Sequence, residues 1–352
     1  MTLHWKIDEN AATPASLKAV REAAALLREG KTVAFPTETV YGLGADAAQT
    51  EAVRAIFTAK GRPSDNPLIV HIADCKQLED LVSGVPEVLV PLMDACWPGP
   101  LTLILPVRPD AVSPLVTAGL DTVGIRIPDH PVALALLREA GIPIAAPSAN
   151  SSGRPSPTKA SHVLEDLDGC IGGIIDGGAA GVGIESTVLQ WKDGVVHVLR
   201  PGGISLEQLQ VLLPGVPLRE PASSEHVEAP RAPGMKYTHY APAGKLLLVQ
   251  GSPASRVHQW MNRQLALAKG RGERTGVLTF EEHRTCFEAD YVSVCGSLAN
   301  PDTIARRLYD GLRSFDEHDI TYILAETCPE EGIGQAVMNR LLKAAGHHIV
   351  QI

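Results

Sequence analysis

At 352 residues the chain has the length of about two domains, each large enough for its own core. Its formal net charge of −9 excludes a protein that grips nucleic acid by bulk electrostatics, while leaving room for a local basic pocket. No apolar run approaches membrane-spanning length, the start lacks a signal-peptide core, and the six cysteines show neither a CxxC pair nor framework spacing. These features together predict a cytoplasmic protein with free thiols and speak against zinc.

Thr13 and Pro14 open a first helix as N-cap and first-turn residue, and Gly30 closes it. Leu17, Val20, Ala24 and Leu27 supply its expected buried stripe. A strand over 32–35, a helix over 51–59 and a strand over 68–72 follow. Asp74 with Gln77 reads as a capping box for a helix through Val82. The WPGP break at 97–100 precedes strands over 101–107 and 123–127. A helix over 131–140 comes next, capped by Asp129 or His130. Further strands are expected over 142–146, 174–176, 187–190 and 195–199. Some connections are too short for crossovers, so strand directions should be mixed in a domain spanning 1–213.

From 214 to 242 prolines are dense and apolar periodicity is weak, which reads as a semi-rigid linker. Met235, Lys236, Tyr237, His239 and Tyr240 make it too rich in contact side chains for a mere spacer. Beyond it, strands over 245–249, 276–279, 291–294 and 320–325 alternate with helices over 255–268, 301–314 and 335–345. That alternation predicts a smaller, largely parallel three-layer α/β domain over 243–352.

Two segments imitate nucleotide fingerprints and fail on context. Gly30-Lys31-Thr32 ends a helix before a strand, the reverse of a P-loop, and position 25 is Ala rather than Gly. Gly42-Leu43-Gly44 lacks a third glycine and an immediate helix. The informative segment is KGRPSDNPLIVHI, 60–72. Pro63 and Pro67 stiffen a loop that carries Lys60, Arg62 and Asn66, a donor set suited to a polyanion such as a triphosphate. A solvated basic turn would read the same way in isolation.

Its company is PTETVYGLG at 36–44, PSAN at 147–150, RPSPTK at 154–159, GIEST at 183–187 and LRPGG at 199–203. Each polar cluster flanks an apolar strand-like run, where α/β folds place ligand contacts. In this order and spacing they resemble the threonylcarbamoyl-AMP synthase family, the YrdC-like enzymes. APGMKYTHYAP at 232–242 and GIGQAVMNR at 332–340 resemble its two-domain form. The resemblance implies a YrdC-like twisted mixed sheet with flanking helices, plus a smaller Rossmann-like C-terminal domain. It also implies condensation of L-threonine, bicarbonate or CO2, and ATP to threonylcarbamoyl-AMP and pyrophosphate, for modification of adenosine 37 in tRNA. The product would pass to a tRNA threonylcarbamoyl transferase complex, with no stable tRNA binding.

Carried over by position, the resemblance puts Thr39, His71, Arg126, the Ala146 backbone and Ser186 around threonine. It puts Arg62, Asn66, Thr122, Ser148, Ser156, Arg200 and His239 around ATP, with Lys60 joining at the phosphates. Arg126 in the apolar run VGIRIP could equally pair with a core carboxylate, and His71 alone reads as a core histidine. Asn150 and Ser151 could serve as loop-stabilising side chains. Arg200 before Pro-Gly-Gly suggests an open backbone for phosphate approach. His239 would act from the linker, as a lid. Mg2+ is expected with the triphosphate, held through phosphate oxygens and water; Glu38 and Glu185 are the candidate carboxylates. Two rivals stand beside this reading. One is a related enzyme carbamoylating another acceptor, disfavoured by the missing cysteine spacing. The other is a non-catalytic RNA-binding module, disfavoured by acidity and few aromatics.

Overall fold

The computed structural model describes residues 1–7, 13–220 and 239–352. They divide into two compact units. One holds Met1–Ser152, Pro157–Gly181 and 185–220; the other holds Gly153–Ser156, Val182–Ile184 and 239–352. Among the described residues no helix is long and apolar enough to cross a membrane.

The first unit is built on strands β1 (Leu3–Lys6), β2 (Val33–Phe35), β3 (Gly42–Asp46), β4 (Ile69–His71), β5 (Leu101–Pro106), β6 (Thr122–Arg126), β7 (Ile144–Ala145), β8 (Gly173–Asp176), β9 (Thr187–Lys192), β10 (Val195–Arg200) and β11 (Leu218–Arg219). They form one 11-stranded sheet in the order β1-β8-β2-β3-β7-β4-β6-β5-β9-β10-β11. Parallel pairs such as β4·β6 and β5·β9 alternate with antiparallel ones such as β5·β6 and β9·β10, so the sheet is mixed as expected. Its central strands are buried along their whole length, because helices cover both faces.

Local signals account for most helix ends. The Thr13 side chain accepts from Ser16 N, Pro14 is the first helical residue, and the helix runs Pro14–Arg28 with Gly30 in the left-handed region at φ 76. Its buried stripe is Ser16, Ala19, Val20, Ala23, Ala24 and Leu27, while Leu17 faces solvent, against expectation. The helix Pro131–Ala140 is capped by His130, whose Nδ1 accepts from Val132 N, rather than by Asp129. Asp74 caps only a short 3-10 turn, Cys75–Gln77, and Gln77 Oε1 instead accepts from Ala73 N, so the expected capping box is not closed.

Two departures have topological causes. Gly42–Asp46, discounted as a fingerprint loop, is strand β3; at Gly44 a Cβ would meet Ile144 Cγ2 at 2.7 Å and Phe35 Cε1 at 2.8 Å, so glycine serves packing. β11 lies where the sequence suggests the start of a linker, and pairs in parallel with β10 at the sheet edge. Met235, Lys236 and Tyr237 lie outside the described residues.

The second unit carries β12 (Lys245–Gln250), β13 (Thr275–Thr279), β14 (Tyr291–Val294), β15 (Tyr322–Glu326) and β16 (Ile349–Gln351). The order is β14-β13-β15-β12-β16, and every pair is parallel. Helices Ala254–Gly270, Pro301–Glu317 and Gly334–Ala344 connect the strands. Arg313 is buried in this unit, donating from Nη2 to Pro155 O at 2.7 Å. Tyr240 is also buried here, its ring centroid 5.2 Å from that of Tyr309.

Gly202 tests how tightly the LRPGG segment is packed. A Cβ there would lie 2.3 Å from Ser186 C and from Thr187 N, backbone atoms that cannot swing away. The open backbone expected after Arg200 is thus filled by the chain itself. Gly202→Ala should lower stability by about 1–3 kcal/mol in urea unfolding. Gly84→Ala, where a Cβ meets nothing within 4 Å, should change it little.

Candidate active site

The central strands of the first unit deliver a set of buried polar side chains to their ends. Arg126 is the last residue of β6, and His71, the last of β4, stands beside it in parallel register. Both are buried, at 4% exposure each. Arg126 Nη1 donates to Thr39 Oγ1 at 2.9 Å and Nε donates to Gly99 O at 3.2 Å, while Nη2 lies 2.5 Å from Glu38 Oε1. The last contact is an ion pair without hydrogen-bond alignment. Neither Glu38 oxygen, nor Arg126 Nη2, has a hydrogen-bond partner among the described residues. Thr39 and Thr37 share a 2.8 Å hydroxyl contact, and Thr37 Oγ1 donates to Val40 O at 2.7 Å, which fixes the turn that presents Glu38.

A second network flanks β5. Ser186 Oγ lies 2.8 Å from Thr102 Oγ1. Arg200, at the end of β10, donates from Nη2 to Ser186 Oγ at 3.1 Å and to Ser186 O at 2.9 Å. In this structure Arg200 therefore braces the 185–187 segment.

Lys60 ends the helix Thr50–Lys60, and its buried ammonium donates to Ser148 O at 2.5 Å and to Asn150 O. It holds the PSAN loop. Ser148 Oγ lies 2.6 Å from Asn150 Oδ1, and Ser151 Oγ donates to Asp166 O at 3.1 Å, so this loop is stabilised from several sides. Arg62 Nη2 donates to Pro67 O at 3.2 Å. Asn66 is 1% exposed, yet neither Oδ1 nor Nδ2 has a hydrogen-bond partner among the described residues. A buried, unsatisfied amide costs about 1–3 kcal/mol unless a ligand completes it. Pro67 and Thr122 line one shallow recess, which places Thr122 near the Asn66 loop. Ala146 follows β7 and its N–H is spent on Ile69 O at 2.9 Å. Ser156 and His239 belong to the second unit.

The comparisons with known proteins decide the family. The family described as "Telomere recombination" (Sua5/YciO/YrdC) matches residues 25–202, and that described as "Threonylcarbamoyl-AMP synthase, C-terminal domain" matches residues 204–346. A threonylcarbamoyl-AMP synthase of Bacillus subtilis is 55% identical over 99% of both chains. Another, from Pyrococcus abyssi, is 46% identical over 95% of this chain and 96% of that one. The chain belongs to the threonylcarbamoyl-AMP synthase family. The crystal structure of P. abyssi Sua5 complexed with L-threonine superposes on the whole of both chains with a TM-score of 0.93 at 45% identity. Membership in this two-domain family is what the order of motifs along the chain implied.

Sequence reasoning weighed Glu38 only as a metal ligand and missed it as the partner of Arg126. It missed Thr102 altogether. The alternation Leu101-Thr102-Leu103, a hydroxyl inside a wholly apolar strand, was the available signal.

Burial, and next the Arg126 charge, hold the His71 imidazole far below its ordinary range, at about 3. The folded protein thus keeps His71 neutral, whereas the unfolded chain protonates it near pH 6.5. Below that value the unfolded state binds one proton more, so stability is full above about pH 6.5 and falls as the pH drops towards 3. The expected slope is about 1.4 kcal/mol per pH unit, about 2 kcal/mol between pH 6.5 and 5. Urea midpoints of His71→Leu, compared with the parent across this range, should show that slope removed.

Proposed function

We propose that this protein catalyses condensation of L-threonine, CO2 or bicarbonate, and ATP to threonylcarbamoyl-AMP and pyrophosphate, in the cytoplasm, supplying the modification of adenosine 37 in tRNA. The observation that carries the reading is the Arg126–Glu38 pair, buried and short of hydrogen bonds on both sides. A zwitterion complements it. The threonine carboxylate takes Arg126 Nη2 and the amino group donates to Glu38, so each buried charge gains the hydrogen bond it lacks. Thr39, His71, Ser186 and the Ala146 backbone surround the rest of the amino acid. His71, held neutral, is a hydrogen-bonding group here and too weak a base to take the ammonium proton.

Unprotonated threonine attacks the CO2 carbon, forming the N–C bond as one C=O π pair moves onto oxygen, and the nitrogen then gives its proton to solvent to leave a carbamate. A carbamate oxygen attacks the α-phosphorus in line, and the bond from that phosphorus to the β-bridging oxygen breaks as pyrophosphate departs. The chain's part is alignment and charge neutralisation. Arg62, Asn66, Thr122, Ser148, Ser156, Arg200 and His239 are assigned to ATP. Lys60 acts through the PSAN loop it holds, which presents Ser148. The loop and strand ends keep water from a labile carbamate and a hydrolysable mixed anhydride.

Mg2+ enters as part of the substrate MgATP. Glu38 suits it poorly, because a guanidinium already lies 2.5 Å away. Among the described residues of the first unit no three acidic, His or Cys ligands converge. Phosphate oxygens and water are its expected ligands, with Glu185 the remaining candidate carboxylate. The product passes to a tRNA threonylcarbamoyl transferase complex.

Pyrophosphate release that requires both ATP and threonine is the test; release indifferent to threonine would overturn the assignment. Asn66→Ala sharpens it. The side chain makes no hydrogen bond among the described residues, so unfolding stability should hold or rise, while threonine-dependent pyrophosphate release falls at least tenfold. Arg126→Ala should weaken threonine binding by about 2–3 kcal/mol in calorimetric titration and leave ATP binding largely intact.

A further inference from the structure

The second unit holds a set of ligand atoms for which the synthase reading has no use. Glu326, the last residue of β15, is 6% exposed. Its Oε2 accepts from Thr279 Oγ1, at the end of the adjacent β13. Its Oε1 faces two imidazoles, His258 Nε2 at 2.8 Å and His283 Nδ1 at 2.9 Å. These imidazoles are its only ionic partners among the described residues. His258 lies in the helix that follows β12, and His283 closes the 3-10 turn Glu281–His283 after β13. Three separate segments thus deliver one nitrogen or oxygen each to a single point, with all three ligand atoms within 4.8 Å of one another.

The position is where parallel α/β sheets bind ligands. In the order β14-β13-β15-β12-β16 the chain leaves β13 towards one edge and β15 towards the other. The carboxyl ends of β13 and β15 therefore flank a topological switch point, and Thr279 and Glu326 occupy those two ends. The cluster is also held rigidly. Thr279 fixes the carboxylate rotation, and the His258 ring packs edge-on against Phe287 with centroids 5.0 Å apart and against His283 at 4.5 Å.

We propose that His258, His283 and Glu326 form a binding site for a divalent transition ion of the Zn2+ class, with an open fourth position. A carboxylate buried this deeply is costly unless a positive charge answers it, and a bound cation supplies one. Two His nitrogens and one carboxylate oxygen are a borderline-soft set that suits Zn2+ and not Mg2+ or Ca2+, which demand six or more oxygens. Bonds of about 2.0–2.1 Å in a tetrahedron put ligand atoms roughly 3.3 Å apart, so the observed 2.8 and 2.9 Å open by a few tenths of an ångström on binding and the two nitrogens, within 4.8 Å of each other, settle at the same spacing. Thr279 is the positioning residue of the carboxylate. Cysteine spacing could not reveal this site, because it uses no cysteine.

Full-length protein stripped with a chelator and dialysed is titrated with Zn2+ by calorimetry, and retained metal is counted by mass spectrometry. One equivalent per chain should bind, with affinity at least 100-fold weaker in His258→Ala and in Glu326→Gln. His283→Ala, at the more exposed edge of the cluster, should show the same loss with an unchanged melting curve, which separates metal loss from misfolding. Co2+ should give the intense visible absorption of a tetrahedral centre in the parent and not in the variants. No retained equivalent, or binding that survives in both His258→Ala and His283→Ala, would overturn the proposal and leave a hydrogen-bonded triad. Threonine-dependent pyrophosphate release is not a readout here, so failure of this site leaves the synthase reading standing.

Discussion

A guanidinium at the centre of an apolar sheet is the constraint around which the first unit is arranged. Arg126 ends a strand whose residues from Val123 onward are buried, and a charge there is tolerated only if its surroundings answer it. Glu38, Thr39 and Gly99 do so from two other segments, and Thr37 ties down the turn that brings Glu38 in. The answer is incomplete: the ion pair is close, yet among the described residues Glu38 and Arg126 Nη2 make no hydrogen bond.

Asn66 repeats that logic without charge. A buried amide with both ends unsatisfied is a poor core residue and a good ligand contact, and it sits in the loop that two prolines stiffen. Lys60 shows the opposite outcome. Its ammonium is absorbed by the carbonyls of Ser148 and Asn150, so a cation that sequence pattern assigns to phosphate stabilises the loop that would face it. Gly202 belongs with Lys60, since the space beside it is taken by the backbone of Ser186 and Thr187.

Helix placement was legible because its signals are local. Thr13-Pro14, Gly30 and Pro131 mark their helix ends within a residue or two, and the strands at 101–106, 122–126 and 291–294 follow from short apolar runs between breakers. What escaped were elements that only partners define. β3 consists of Gly42-Leu43-Gly44-Ala45-Asp46, with small residues because Ile144 and Phe35 press on it. β1, β11 and β16 are edge strands of weak pattern. The motifs named candidate segments, while the state of each side chain in them stayed hidden.

The sequence by itself determined the alternation of helices and strands and the two-domain family, because caps, breakers and motif order act over a few residues. Tertiary structure alone decided that Glu38 faces Arg126, that Asn66 is buried with no hydrogen-bond partner among the described residues, and that His258, His283 and Glu326 meet at one point. Those facts depend on strand order and register. Residues tens of positions apart become neighbours only once the sheets have formed, and no local propensity encodes which two strand ends will lie side by side.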